Sequence, residues 1–104
     1  MSYQLEFLPV AKQDLVEIAE YISKTLQNPK AAKRLAQTLL ERAEDLRSFP
    51  YAYPVYQPIR PLRLEYRKVT VGHYLLFYTV SEETKTVTVA RILYGRRNLT
   101  TKMG

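Results

Sequence analysis

GHYLLFYTVSEETKTVTVARILYG, residues 72–95, decides the fold. Gly72–Val80 is continuously apolar and aromatic, as a strand inside a sheet should be. Ser81-Glu82-Glu83-Thr84 is a polar turn. Lys85–Tyr94 is rich in Val and Thr, whose branched side chains favour strand. Gly95 stops it. Two such runs joined by so short a connection predict an antiparallel hairpin. Upstream, Leu62–Val69 alternates, with Leu62, Leu64 and Tyr66 on one side and Arg63, Glu65 and Arg67 on the other. That alternation predicts a third strand. Residues 62–94 therefore read as a three-strand antiparallel meander.

Working outward, the segment from Phe49 to Pro61 carries Pro50, Pro54, Pro58 and Pro61 among Tyr51, Tyr53, Tyr56 and Ile59. No regular element survives that proline density. Its large side chains predict a packed extended loop rather than a linker. Further upstream the period becomes helical. Ala32, Leu35, Leu39, Ala43 and Leu46 share one helical face, and Asn28-Pro29 supplies a cap and a first-turn proline. That predicts a helix from about residue 29 to about Ser48. Ala11, Leu15, Ile18, Ala19 and Ile22 mark an earlier helix, begun at Pro9 and ending near Leu26. The connection of a couple of residues makes the two an antiparallel hairpin. Their outer faces are balanced in charge, as solvated faces usually are. Tyr3-Gln4-Leu5-Glu6-Phe7 alternates as a short half-buried strand. The order is strand, helix, helix, three strands. The fold class is α+β, with the helical hairpin on one face of a mostly antiparallel sheet.

At 104 residues this is one domain, 1–104, because a hairpin and one strand bury too little surface alone. No run of eighteen apolar residues exists, and Met1-Ser2-Tyr3-Gln4 lacks a basic start and an apolar h-region, so no secretory signal is expected. A cytoplasmic protein is expected. There are no cysteines, which removes disulfides, thiolate metal sites and Cys nucleophiles. Net charge is +6 and is unevenly placed. Residues 1–50 hold seven basic and seven acidic side chains, whereas residues 51–104 hold nine basic and three acidic. Seven of the nine tyrosines lie in that same basic half. Arginine with tyrosine is the composition of recognition surfaces, and the excess charge points to an anionic partner, nucleic acid or acidic protein.

The residues for enzyme chemistry are few. His73 is the single histidine, with no second metal ligand at a recognisable spacing. It reads as a strand residue of structural or surface character. Three glycines (Gly72, Gly95, Gly104) exclude a glycine-rich phosphate loop. No cofactor and no metal are expected. One constellation remains: Arg60, Arg63, Arg67, Lys68, Arg91, Arg96 and Arg97. Such a set can hold RNA phosphates and stabilise charge during backbone cleavage without metal. It can equally dock an acidic protein. As a third alternative it is a solubilising face, since Arg63 and Arg67 flank Glu65 and suit cross-strand pairing.

The chain resembles the RelE/ParE superfamily of bacterial type II toxins. The resemblance rests on a short strand followed by Ala11-Lys12-Gln13-Asp14-Leu15, an Ala-x-x-Asp-Leu helix start running on to Ile18-Ala19-Glu20-Tyr21-Ile22. A second helix ends in Phe49-Pro50. Val71-Gly72-His73-Tyr74-Leu75-Leu76-Phe77-Tyr78 then matches Val-Gly-x-Tyr-x-x-x-Tyr. Finally Arg91-Ile92-Leu93-Tyr94-Gly95-Arg96-Arg97-Asn98 resembles a strand ending in His-Gly-Arg-Arg-Asp, with Tyr94 for the His and Asn98 for the Asp.

The resemblance implies a growth-inhibiting toxin of a plasmid-stabilisation or similar system. Its expected partner is a cognate antitoxin, acidic and amphipathic, encoded beside it; which residues the antitoxin covers is not implied. Two activities occur in the superfamily. ParE-like members poison DNA gyrase, and RelE-like members cut mRNA on the ribosome. For the nuclease the resemblance implies Arg67, Lys68 and Arg97 as catalytic groups, with Tyr66, His73 or Tyr74 as substitutes for a missing base. Nucleases of this type place an arginine just after the central-strand tyrosine, where this chain has Leu75. They also use a late tyrosine, whose counterpart falls about Met103. Leucine cannot stabilise a developing phosphorane, and methionine cannot act as a base. Each such loss typically costs a factor of about a hundred or more. A ParE-like gyrase inhibitor is therefore the expected function, with Arg91, Arg96, Arg97 and Asn98 contacting the target. The RelE-like ribosome-dependent mRNA endonuclease is the alternative, and an inactive binding module of the same fold is the second alternative.

Overall fold

The computed structural model describes residues 2–57 and 62–95. β1 is Gln4–Phe7, and α1 follows at Pro9–Glu20 with proline in its first turn. α1 runs into a π-helical turn, Tyr21–Thr25, before Leu26 closes it. α2 is Pro29–Asp45. The Asn28 side chain accepts a hydrogen bond from the Ala31 N–H at 3.2 Å, which satisfies an otherwise orphaned helix donor. β2 (Arg67–Val71), β3 (Tyr74–Ser81) and β4 (Thr86–Tyr94) complete the order. The strand, the two helices and the order of three further strands thus form as the periodicity predicts.

The sheet order is β1-β4-β3-β2. β2 and β3 pair antiparallel, as do β3 and β4, while β1 lies parallel to β4 along its free side. The helices cover one face. Leu39 and Leu46 of the helical layer meet Val69, Leu76, Tyr78, Val87, Val89 and Ile92 of the sheet, all essentially inaccessible to solvent. Truncating such a leucine to alanine typically costs about 2–5 kcal/mol. Ala11 and Ala43 are fully buried in the same core, so no long side chain holds the helices away there. Among the described residues no helix is long and apolar enough to cross a membrane.

Three expectations need correction. The strand expected at Leu62–Val69 is instead Arg67–Val71. Its inward residues are Val69 and Val71, which are odd-numbered, whereas Leu62, Leu64 and Tyr66 carry the opposite parity, and Leu64 is 54% exposed. Alternation alone did not reveal which side would meet the helices. Next, Gly72 and His73 form the β2–β3 turn and are not strand residues; Gly72 takes φ +60°, which a side chain would resist. Lastly, the β3–β4 turn runs through Lys85, at φ 51°.

The described part of the proline-rich segment packs as expected. Val55 bridges Arg67 across β2's outer edge, Lys68 N–H donates to the Pro54 carbonyl at 3.3 Å, and Tyr56 N–H to the Tyr66 carbonyl at 2.7 Å. The buried Tyr78 hydroxyl donates to the Pro50 carbonyl at 2.7 Å, tying this loop to the core.

Candidate functional site

Strand alternation sorts the candidate residues by face. Leu76, Tyr78 and Val80 of β3 belong to the core side, so Leu75 and Phe77 take the opposite side. Cross-strand register then brings Lys68 beside Phe77, Thr70 beside Leu75, and Leu93 beside Leu75. Tyr56 folds over this surface. Its ring meets Phe77 edge to face at 5.1 Å, and the Lys68 ammonium lies 5.5 Å from its centroid. Next to this cluster is a shallow hollow lined by Thr70, Gly72, His73, Leu75, Tyr94 and Gly95. The Gly95 N–H donates to the His73 carbonyl at 2.9 Å, and a Cβ at Gly95 would sit 3.3 Å from that oxygen. A glycine permits that close approach at the rim.

The neighbouring Arg67 turns the other way. Its Nη1 donates to the Tyr53 carbonyl at 2.7 Å, its guanidinium stacks 4.9 Å over the Tyr51 ring, and Glu65 is 3.9 Å away. It clasps the proline-rich loop. Arg67 and Lys68 are adjacent in sequence, yet the structure does not bring them to one face. Tyr74 meets Tyr94 edge to face at 5.7 Å, and Tyr66 is half-buried with its carbonyl engaged by Tyr56. His73 is exposed on the turn. Arg60, Arg96, Arg97, Asn98 and Met103 lie outside the described residues.

Arg91 is held from the helical layer. Its Nε and Nη2 each donate to Asp14 of α1 at 2.8 Å, and Asp14 Oδ2 also accepts the Ile92 N–H at 3.0 Å. β1 pairs β4 only as far as Val89, so Asp14 takes over where that strand stops. Both side chains are largely sheltered, and the hydrogen bonds to Asp14 raise the Arg91 pKa further above its ordinary value. Asp14 was legible in hindsight. It lies three residues after Ala11 and four before Ile18, a lone acid on the apolar stripe.

A second cluster escaped sequence reasoning. Glu82 of the β3–β4 turn accepts from the Tyr3 hydroxyl at 2.7 Å, from the Tyr51 hydroxyl and from Lys85. These bonds, the one from Lys85 foremost, pull the Glu82 pKa down to about 2. The same carboxylate pushes Tyr51 up to about 12. No local spacing signals a contact between residues 3 and 82.

Solved structures that share this fold include toxins and toxin–antitoxin complexes. The chain matches the chromosomal ParDE system of P. aeruginosa at TM-score 0.69 and 20% identity, covering 89% of this chain and 96% of that one. It matches the RelBE2 toxin–antitoxin complex from Mycobacterium tuberculosis at 0.66 and 22%, covering 90% and 99%. The free E. coli RelE toxin mutant matches at 0.65 and 17%, covering 99% and 94%. Among curated proteins, no sequence matches. The fold is that shared by RelE and ParE toxins. A family model described as "ParE toxin of type II toxin-antitoxin system, parDE" matches residues 5–99, and the chain belongs to that family.

Proposed function

We propose that this toxin inhibits DNA gyrase by protein contact and is neutralised by a cognate antitoxin in the cytoplasm. The observation that carries the reading is Leu75. It occupies the sheet face opposite the helices, beside Thr70 and Leu93, at the position where the nucleases that the chain resembles carry an arginine to stabilise charge. Arg67 is turned to the other face and engaged by the Tyr53 carbonyl. Of the expected target-contacting set, Arg96, Arg97 and Asn98 follow β4 in the sequence, while Arg91 is committed to Asp14. The antitoxin is expected to be acidic and amphipathic, complementing the basic half of the chain.

One observation favours the mRNA endonuclease as a second reading. Lys68 above the Tyr56 ring, next to the His73 hollow, offers a cation, a stacking platform and an imidazole on one face. Induced expression separates the two. Gyrase-dependent DNA breaks with intact mRNA are expected, and codon-positioned mRNA cuts on the ribosome would replace the gyrase reading with the nuclease. Arg97→Ala should lower toxicity in either case; unchanged toxicity removes that residue from the site.

A further inference from the structure

α2 carries its charge in an order that works against its own dipole. Counted at 100° per residue, Lys30, Lys33, Arg34, Gln37, Leu40, Glu41, Glu44 and Asp45 share the face turned away from the core. All eight are exposed, including Leu40 at 46%. The charged residues of this stripe are all basic before Gln37 and all acidic after it. Cations at a helix N-terminus and acids at its C-terminus both oppose the macrodipole. The one-turn neighbours Lys30–Arg34 and Glu41–Asp45 are like-charged, which also costs stability within the helix. Of the three acids, only Glu44 has a salt-bridge partner among the described residues, Arg47 at 2.7 Å. A merely solvating face gains nothing from this order.

A second copy turns the liability into a match. We propose that this face of α2 docks on the same face of another copy of this chain, antiparallel, about a two-fold axis at Gln37. Each residue then meets the one equally far beyond Gln37 on the partner helix. Lys30 faces Glu44, Lys33 faces Glu41, and Arg34 lays its aliphatic stem along Leu40. Every pair occurs twice, as an isologous interface requires. A parallel pairing would set cation on cation and acid on acid. The stripe is about 22 Å long, shorter than a standard interface needs, so the dimer is weak and depends on salt. It is independent of the toxin's molecular target.

Sedimentation equilibrium of the full-length chain tests this. At low salt and high protein concentration the mass should approach two copies, and at about 0.5 M salt it should return to one. Lys30→Glu with Lys33→Glu and Arg34→Glu makes the stripe acidic. Glu41→Lys with Glu44→Lys reverses the two acids of the pairs and makes it mostly basic. Each variant alone should raise the dimer dissociation constant by about tenfold or more. The two mixed should recover a one-to-one pair. Both follow the dipole better than the parent, so neither should melt at a lower temperature. A parent that stays monomeric at low salt overturns the proposal, as does a dimer that survives both variants or a mixture that fails to pair. Reversals that weaken only antitoxin binding, with the chain monomeric throughout, would assign this face to the antitoxin instead.

Discussion

Asp14 and Glu82 each gather three donors, at opposite ends of β4, but in different surroundings. Asp14 takes two N–H groups of Arg91 and the backbone N–H of Ile92, and its side chain is 11% exposed. Glu82 takes two tyrosine hydroxyls and a lysine, and its side chain is 48% exposed. The chemistry is alike, but the solvent is not. Near water, each lost partner is replaced by hydration, so an exposed cluster organises a surface without adding much stability. In the sheltered position, removing the acid strands an arginine and a backbone donor together. The first cluster holds α1 to the sheet, and the second gathers the β3–β4 turn, the start of β1 and the proline-rich loop.

The largest test of this contrast is Asp14→Ala. It should lower stability by about 3 kcal/mol, read by urea unfolding, because Arg91 and the Ile92 N–H lose their acceptor. Asp14→Asn keeps an acceptor for Ile92 but not the charge, and should cost roughly half as much. A loss within the scatter of the measurement would erase the distinction between the two ends of β4.

Tyr78→Phe comes next. It leaves the Pro50 carbonyl without its donor beside the core and should cost about 1–2 kcal/mol. Burial pushes the Tyr78 pKa up to about 12. A spectroscopic titration should therefore show Tyr78, together with Tyr51, still protonated at pH 11, and that late-titrating signal should shrink but not vanish in the variant.

Glu82→Gln should barely move the unfolding midpoint, while hydrogen exchange in residues 49–57 speeds up as the Tyr51 contact weakens. The folded pKa is depressed, from 4.5 to about 2. Whatever Glu82 contributes is therefore complete above about pH 4.5 and lost as pH falls through about 2. The difference between parent and variant should close over that window. A difference that grows toward acid would reverse the assignment.

Much of this architecture was readable along the chain. Asn28 and Pro29 start α2 by a local capping bond, and the apolar spacing of Ala11 to Ile22 defines α1 together with the π-helical turn. β2 was harder. Leu62–Tyr66 alternates as well as any strand, but with the parity that faces away from the helices. That register depends on where the loop at Pro54–Tyr56 and the core place Arg67, not on local pattern. The same register separates Arg67 from Lys68, two residues that look like one site on paper. β1 gave no sign that it would lie parallel to β4, a partner eighty residues away.

The sequence by itself determined the order of elements, the α+β class and the crowding of positive charge into residues 51–104. These follow from local spacing and composition, which need no knowledge of distant contacts. Only the tertiary structure decided which face each basic residue serves, that Asp14 would hold Arg91 across 77 positions, and that Tyr3, Tyr51 and Glu82 would meet. Those outcomes depend on how the helical layer and the sheet bury their apolar faces together, a condition that many residues set jointly and no short stretch contains.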